Sequence, residues 1–471
     1  MSFLVPIVMF GWIPVVLYLF MRIPAQRAVI VSFIVAWLFL PVAEYALPGL
    51  PDYTKMSATC YGILLATFIY DVGRISSFKF SWIDLPILIW CLCPLASSIT
   101  NGLGAYDGFS TVLTQTLTWG VPYFLGRIYL NNLSGLRDLA IGIFMGGLVY
   151  VPLCLYEIRF SPQLHRILYG FHAHPDFGQT MRYGGWRPTV FMIHGLPVGM
   201  WMMAASLVGI WLWHTGVIKQ LWNIPMKWLV AALLITFILC KSTGAYFLLL
   251  LGVGILFVGK QFRTALPVFI LIGLICSYLY INSQTETYVS DQIISNVSSV
   301  VPADRIQSLQ FRFDNEELLV DKARERIVFG WGGWGRSLIF NDKGEQVTVP
   351  DSLWIIAFGE TGTVGLASLT TSLLMPVLTM FWFRCPAELW PKRQASPVAV
   401  LTVAVALYMV EFMLNAHGNP VFVLACGGLS GLVIQEPTTN KVKKVPALAA
   451  QRYRNQNRNQ NRNQRRQVQR N

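Results

Sequence analysis

Two carboxylates and a set of cations are the residues whose types and placement suit chemistry. Asp351 stands where a long polar stretch, residues 282–351, turns back into an apolar run, and Glu316 lies within the same stretch. A carboxylate so placed can accept the proton of an attacking alcohol, the general-base step of a group transfer. Arg187, Lys241, Arg312, Arg336 and His194 are the candidates for holding an anion. A departing diphosphate needs positive charge, and guanidinium forks match phosphate oxygens.

Each candidate also has a plainer reading. Asp351 before Ser-Leu-Trp fits a helix N-cap, and Glu316, four residues after Arg312, pairs with it if that stretch is helical. Arg187 can snorkel its charge toward the interface, while Arg182 and Arg336 suit a rim facing headgroups or solvent. His194 is equally at home as a buried, satisfied imidazole. Lys241, in Lys241-Ser242-Thr243 between two apolar runs, must find an anion, and Glu360, inside the run after Asp351, should be paired.

Other motifs lead away from metals and nucleotides. His165, His172 and His174 with Asp176 match no closed zinc spacing, and a loop surface explains them. Gly330–Gly335 fits G-x-G-x-x-G, but a dinucleotide site needs it inside a βαβ unit, and here it falls in a loop expected to face outward, beyond the reach of cytoplasmic nucleotides. Its glycines suit a tight turn, with Trp331 and Trp334 at a membrane interface and sugar stacking as the lesser use. The eight cysteines lie in or at the edges of apolar runs, which suits buried thiols better than disulfides or metal. We expect no metal and no cofactor.

The elements that must position these groups are apolar helices. Apolar residues make up 54% of the 471 and charged residues 13%, about half the charge of a soluble chain. Mean hydropathy is +0.52. Runs long enough to cross a bilayer fall at 3–21, 28–47, 57–72, 83–99, 110–130, 139–157, 188–213, 228–240, 244–259, 264–281, 353–382, 396–414 and 418–435. The fold class is therefore all-α, a polytopic bundle of about 12–13 spans, with 353–382 open to being a span plus a re-entrant piece. The first run lacks a cleavage pattern and is expected to stay as a span.

The organisation expected is transmembrane helices over 1–281 with an outer loop at 158–187, a large extracytoplasmic loop at 282–351, further helices over 352–436 and a basic tail at 437–471. Lys and Arg in the short loops fall on one side with the tail, which puts the C-terminus in the cytoplasm and both long loops outside. The tail holds three Lys and seven Arg without an acid, so the rest of the chain carries only +3 of the net +13. Low in complexity, it is expected to be disordered and drawn to anionic lipid rather than nucleic acid.

The pattern resembles the O-antigen ligase and polymerase superfamily of bacterial inner-membrane glycosyltransferases. The likeness rests on the many spans, the late polar loop, Gly330-Trp331-Gly332 closing it, and Asp351-Ser352, nine residues, Gly362, two residues, Gly365. It runs loosely over 110–435 and closely over 305–366. It implies transfer of a glycan from an undecaprenyl-diphosphate carrier to a saccharide or lipid acceptor outside the membrane, without metal or nucleotide. In such enzymes arginines hold the diphosphate, and Arg187 and Arg312 correspond best. Lys241-Ser242-Thr243-Gly244-Ala245 falls where relatives often have Ser-Arg-Gly-Ala, so Lys241 stands in for that arginine. Ligases of the family carry His where this chain has Asp351, which leaves room for exopolysaccharide polymerisation.

The expected function is thus an inverting membrane glycosyltransferase. In it Arg187, Lys241 and Arg312 hold the diphosphate, His194 and Arg336 line the site, and Asp351, or else Glu316, activates the acceptor. The alternative is a transporter or flippase for a lipid-linked or polyanionic substrate, although no internal repeat relates the halves of the chain. A third reading is a non-catalytic partner of polysaccharide assembly proteins, recruited through the tail.

Overall fold

The computed structural model describes residues 2–47, 51–285, 303–333 and 335–435. The basic tail, its expected disorder and Trp334 lie outside the described residues. Among the described residues, seven helices are long and apolar enough to cross a membrane: Leu4–Arg22, Trp82–Thr100, Leu133–Phe160, Gly195–His214, Thr243–Phe262, Leu266–Gln284 and Leu353–Arg384. Four further apolar helices are shorter: Ala25–Phe39, Met226–Leu239, Ser396–Phe412 and Pro420–Ile434. The chain is a mostly helical, multi-pass protein by this criterion.

In chain order the helices are α1 (Leu4–Arg22), α2 (Ala25–Phe39), α3 (Lys55–Tyr70), α4 (Val72–Ser76), α5 (Leu85–Thr100), α6 (Ala105–Gln115), α7 (Val121–Tyr129), α8 (Leu133–Phe160) and α9 (Leu164–Tyr169). After a short hairpin come α10 (Gly195–His214), α11 (Met226–Leu239), α12 (Thr243–Phe262) and α13 (Leu266–Gln284). The last four are α14 (Ala303–Arg324), α15 (Leu353–Thr379), α16 (Ser396–Phe412) and α17 (Pro420–Ile434). Of the thirteen expected spans, those at 28–47, 57–72, 110–130, 228–240, 396–414 and 418–435 do not form helices of membrane length, and two of them differ in course. The run 28–47 is helical only to Phe39, and 110–130 is interrupted by a π turn at Thr116–Gly120 before Pro122. An extra residue per turn bends a helix where an unbroken pattern suggests a straight one.

Short helices survive in the middle because their neighbours cover them. In α16 almost every residue is buried, as are most of α10 and α17. Glycines set the closest approach: a Cβ on Gly126 would strike the Leu424 carbonyl, and one on Gly427 the Tyr123 carbonyl. Small residues let helix backbones pack this tightly where burial in lipid gives no driving force.

The expected loop 282–351 contains a 22-residue helix, α14. Beyond it the chain docks onto α15, which is broken at Gly362, where φ is 65° and ψ −161°. The Trp331 and Gly332 amides donate to the Gly359 and Glu360 carbonyls at 2.8 and 3.0 Å. The Thr363 and Val364 amides donate to Ile327 and Val328 at 2.8 and 3.3 Å. A Cβ on Gly330 would lie 2.5 Å from the Glu360 carbonyl carbon, so the turn needs glycine both for its φ of 68° and for contact. From Thr363 to Arg384 the helix runs about 33 Å, enough to cross a core of about 30 Å unaided.

Candidate functional site

The loops 161–194, 240–242 and 413–419, with α14 and the start of α15, meet at one end of the bundle. Arg187 is 2% exposed, and its Nη2 donates to Ser242 Oγ at 3.1 Å. Two glycines of α10 make its berth. A Cβ on Gly195 would lie 2.6 Å from Arg187 Nε, and one on Gly199 would strike Ser242 Oγ. Spaced four apart, they face the same side of the helix.

Arg312, on α14, donates to the Leu414 carbonyl at 3.3 Å and has Asp351 Oδ2 3.7 Å from its Nε. His417 lies within electrostatic reach of both Arg187 and Arg312, and so does Glu411. Burial, reinforced by the charges of Arg187, His174 and Arg312, pushes the His417 imidazole down to about 4. The two guanidiniums therefore share a neighbourhood with a neutral histidine and one buried carboxylate, itself held by Asn415 Nδ2 at 2.9 Å. Sequence reasoning missed Glu411 and His417. The signal was there: Glu411 is the one acid in the run 396–414, and intramembrane acids are functional candidates.

His194 is the N-cap of α10. Its Nδ1 accepts from the Leu196 amide at 3.2 Å, and its Nε2 faces Gln179 Oε1 at 2.9 Å. Burial, then Arg187, hold it down at about 3, so it lines the site as a neutral ring beside His417, centroids 6.0 Å apart. Among the described residues Lys241 meets no carboxylate. Its ammonium donates to the carbonyls of Arg182 and Tyr183 at 3.1 and 3.4 Å, clamping the hairpin of β1 (Met181–Arg182) and β2 (Gly185–Trp186). Gly185 leaves the room this needs, since a Cβ there would strike Nζ.

Arg336 is bound elsewhere, by Asp107 of α6 at 3.0 and 3.2 Å, and is not joined by contact to Arg187 or Arg312. That guanidinium holds Asp107 below the usual carboxylate range. His165 uses both ring nitrogens on backbone, at Val42 and Phe171. No group of three metal-type side chains occurs among the described residues. Trp331 has both Lys322 and Arg326 against its ring, with Nε1 donating to the Lys322 carbonyl at 2.7 Å. Glu360 was expected to be paired. Among the described residues no hydrogen bond or ion pair reaches its carboxylate, although its carbonyl accepts from Ser97 Oγ at 2.7 Å.

The two candidate bases differ. Ser352, not Asp351, occupies the N-cap position of α15, and the Asp351 side chain is 38% exposed. Glu316 lies in a helix but does not turn to Arg312. Its Oε1 accepts from Tyr278 Oη at 2.6 Å and its Oε2 from Trp354 Nε1 at 3.3 Å and Ser352 Oγ at 3.5 Å. Burial outweighs these bonds and pushes it up to about 7. A cavity of about 20 Å³, room for one water or one hydroxyl, lies between Arg312, Glu316, Asp351 and Leu414.

A raised carboxyl gives a signed expectation. The protonated form is favoured by the fold, so the stability it contributes is full below about 4.5 and is lost as pH rises through about 7. In thermal melts of purified protein, Glu316→Gln should gain on the native chain from pH 5 to about pH 7 and level off above it. A constant difference across that range removes the burial argument. If Glu316 itself takes the proton in turnover, the rate must also climb through pH 7.

Compared with protein-family models and with curated proteins, the chain gives no match to either.

Proposed function

We propose that the chain is a membrane glycosyltransferase of the O-antigen ligase and polymerase kind. It moves or polymerises a glycan from an undecaprenyl-diphosphate carrier onto a saccharide or lipid acceptor at the outer face of the bacterial inner membrane. One observation carries this reading: Arg187 and Arg312 share the neighbourhood of His417 and Glu411, and Asp351 stands 3.7 Å from Arg312. Paired guanidiniums suit a diphosphate leaving group. A carboxylate beside a hydroxyl-sized cavity suits activation of an alcohol. Lys241 serves as the clamp of the hairpin that leads into Arg187.

The test uses purified full-length protein in detergent, supplied with a polyprenyl-diphosphate-linked oligosaccharide and analysed for chain extension or transfer. Product formed without a closed compartment supports an enzyme. Absence of product, together with substrate movement in sealed vesicles, supports a transporter. The break in α15 favours that second reading, since discontinuous helices build transporter sites. Against it, the polar groups at the break are paired with residues 327–332, and a full membrane-length helix follows it.

A further inference from the structure

Glu157 is fully buried, one turn before the end of α8. Its Oε1 accepts from the Leu164 amide at 2.9 Å, and its Oε2 from the Thr189 and Val190 amides at 2.8 and 2.7 Å. One carboxylate thus ties together both ends of the loop between α8 and α10. Adjacent amides converging on one oxygen form an anion-holding nest, and here the anion belongs to the protein.

The chain at that nest is strained. Val190 is buried and β-branched, yet has φ of 51°, a left-handed conformation that such residues avoid. The Glu157 bonds are what hold it there. Arg187 precedes the nest by two residues, with Pro188 between. Proline fixes its own φ and confines the residue before it to extended conformations, so little freedom separates Thr189 from Arg187. On its other side the Arg187 amide donates to the Thr180 carbonyl at 2.7 Å.

We propose that Glu157 is the positioning residue for Arg187. Its carboxylate pins Thr189 and Val190, and through rigid Pro188 it aims the guanidinium into the site beside Ser242 and His417. The inference rests on the reading of Arg187 as an anion-binding group. It gives a buried acid, remote from the reacting atoms, a defined part in substrate affinity.

Glu157→Gln is the informative change. The amide keeps one acceptor oxygen, but its NH2 must face N–H donors, which leaves buried groups unsatisfied. Two measurements on the full chain in detergent decide the matter. In hydrogen exchange, peptides covering 185–194 should lose protection in the Gln variant while those of α16 and α17 keep theirs. Unchanged exchange at 185–194 overturns the proposal. In binding of geranyl diphosphate, Glu157→Gln should weaken affinity by about tenfold or more, Glu157→Asp should fall between it and the native chain, and Glu157→Gln with Arg187→Ala should bind no worse than Arg187→Ala alone. Native affinity in the Gln variant, or additive losses in the double variant, overturn it. If the native chain and Arg187→Ala take up the probe equally poorly, the functional reading of Arg187 fails, and the exchange experiment alone still decides the role of Glu157.

Discussion

Arg187→Ala lowers transfer from a polyprenyl-diphosphate donor by about 10²–10³-fold, with the protein still accumulating in the membrane. The expectation follows from where the guanidinium sits. It is sealed against Gly195, bonded to Ser242 and within reach of Glu411 and His417. In so dry a place a charge acts on a neighbouring anion far more strongly than it does in water. Arg187→Lys keeps the charge but loses the planar fork and should recover only part of the rate. Arg312→Ala should also be severely impaired, though its side chain is 30% exposed and better screened by solvent. Steady-state assays at matched protein levels check all three. Native rates in Arg187→Ala and Arg312→Ala together remove the cationic site from the mechanism.

The second large effect is at Asp351. Asp351→Asn keeps the shape and removes the ability to take a proton, and it should cost at least about 10²-fold in rate. The 3.7 Å separation from Arg312 is longer than a strong charge-assisted bond of about 2.7–2.9 Å, so the carboxylate keeps lone pairs for an incoming hydroxyl. Because Ser352 rather than Asp351 is at the N-cap position, stability should change by no more than about 0.5 kcal/mol. Thermal melts beside rate measurements separate the two effects. A fully active Asn variant combined with an inactive Glu316→Gln would transfer the proton-accepting role to Glu316.

The helices were legible because an apolar run of this length has few other fates. Arg187, His194, Arg312 and Asp351 were legible too, as charges or rings at the ends of such runs. What was hidden depended on partners distant in sequence. Lys241 needed an acceptor, but nothing local said that it would be two carbonyls of a hairpin some 60 residues earlier, at Arg182 and Tyr183. The i, i+4 spacing of Arg312 and Glu316 offered a pair, yet α14 turns Glu316 to Tyr278 and Trp354. Gly330-Trp331-Gly332 could be excluded as a nucleotide loop, but its true place, plugged into a gap in α15, is a tertiary fact. Glu411 and His417 make sense only once Arg187 and Arg312 are seen within electrostatic reach of both.

That plug has a consequence for biogenesis. The amides of Thr363 and Val364 and the carbonyl of Gly359 take partners from residues 327–331, which lie on a separate stretch of the chain. In hydrocarbon each such group left bare is penalised by several kcal/mol. The segment after Asp351 therefore cannot settle into its final seat as an autonomous unit on leaving the insertion machinery. Its assembly must wait for the preceding polar chain to fold back onto it, which makes the seating of residues 327–332 a late, obligatory event in the maturation of the protein.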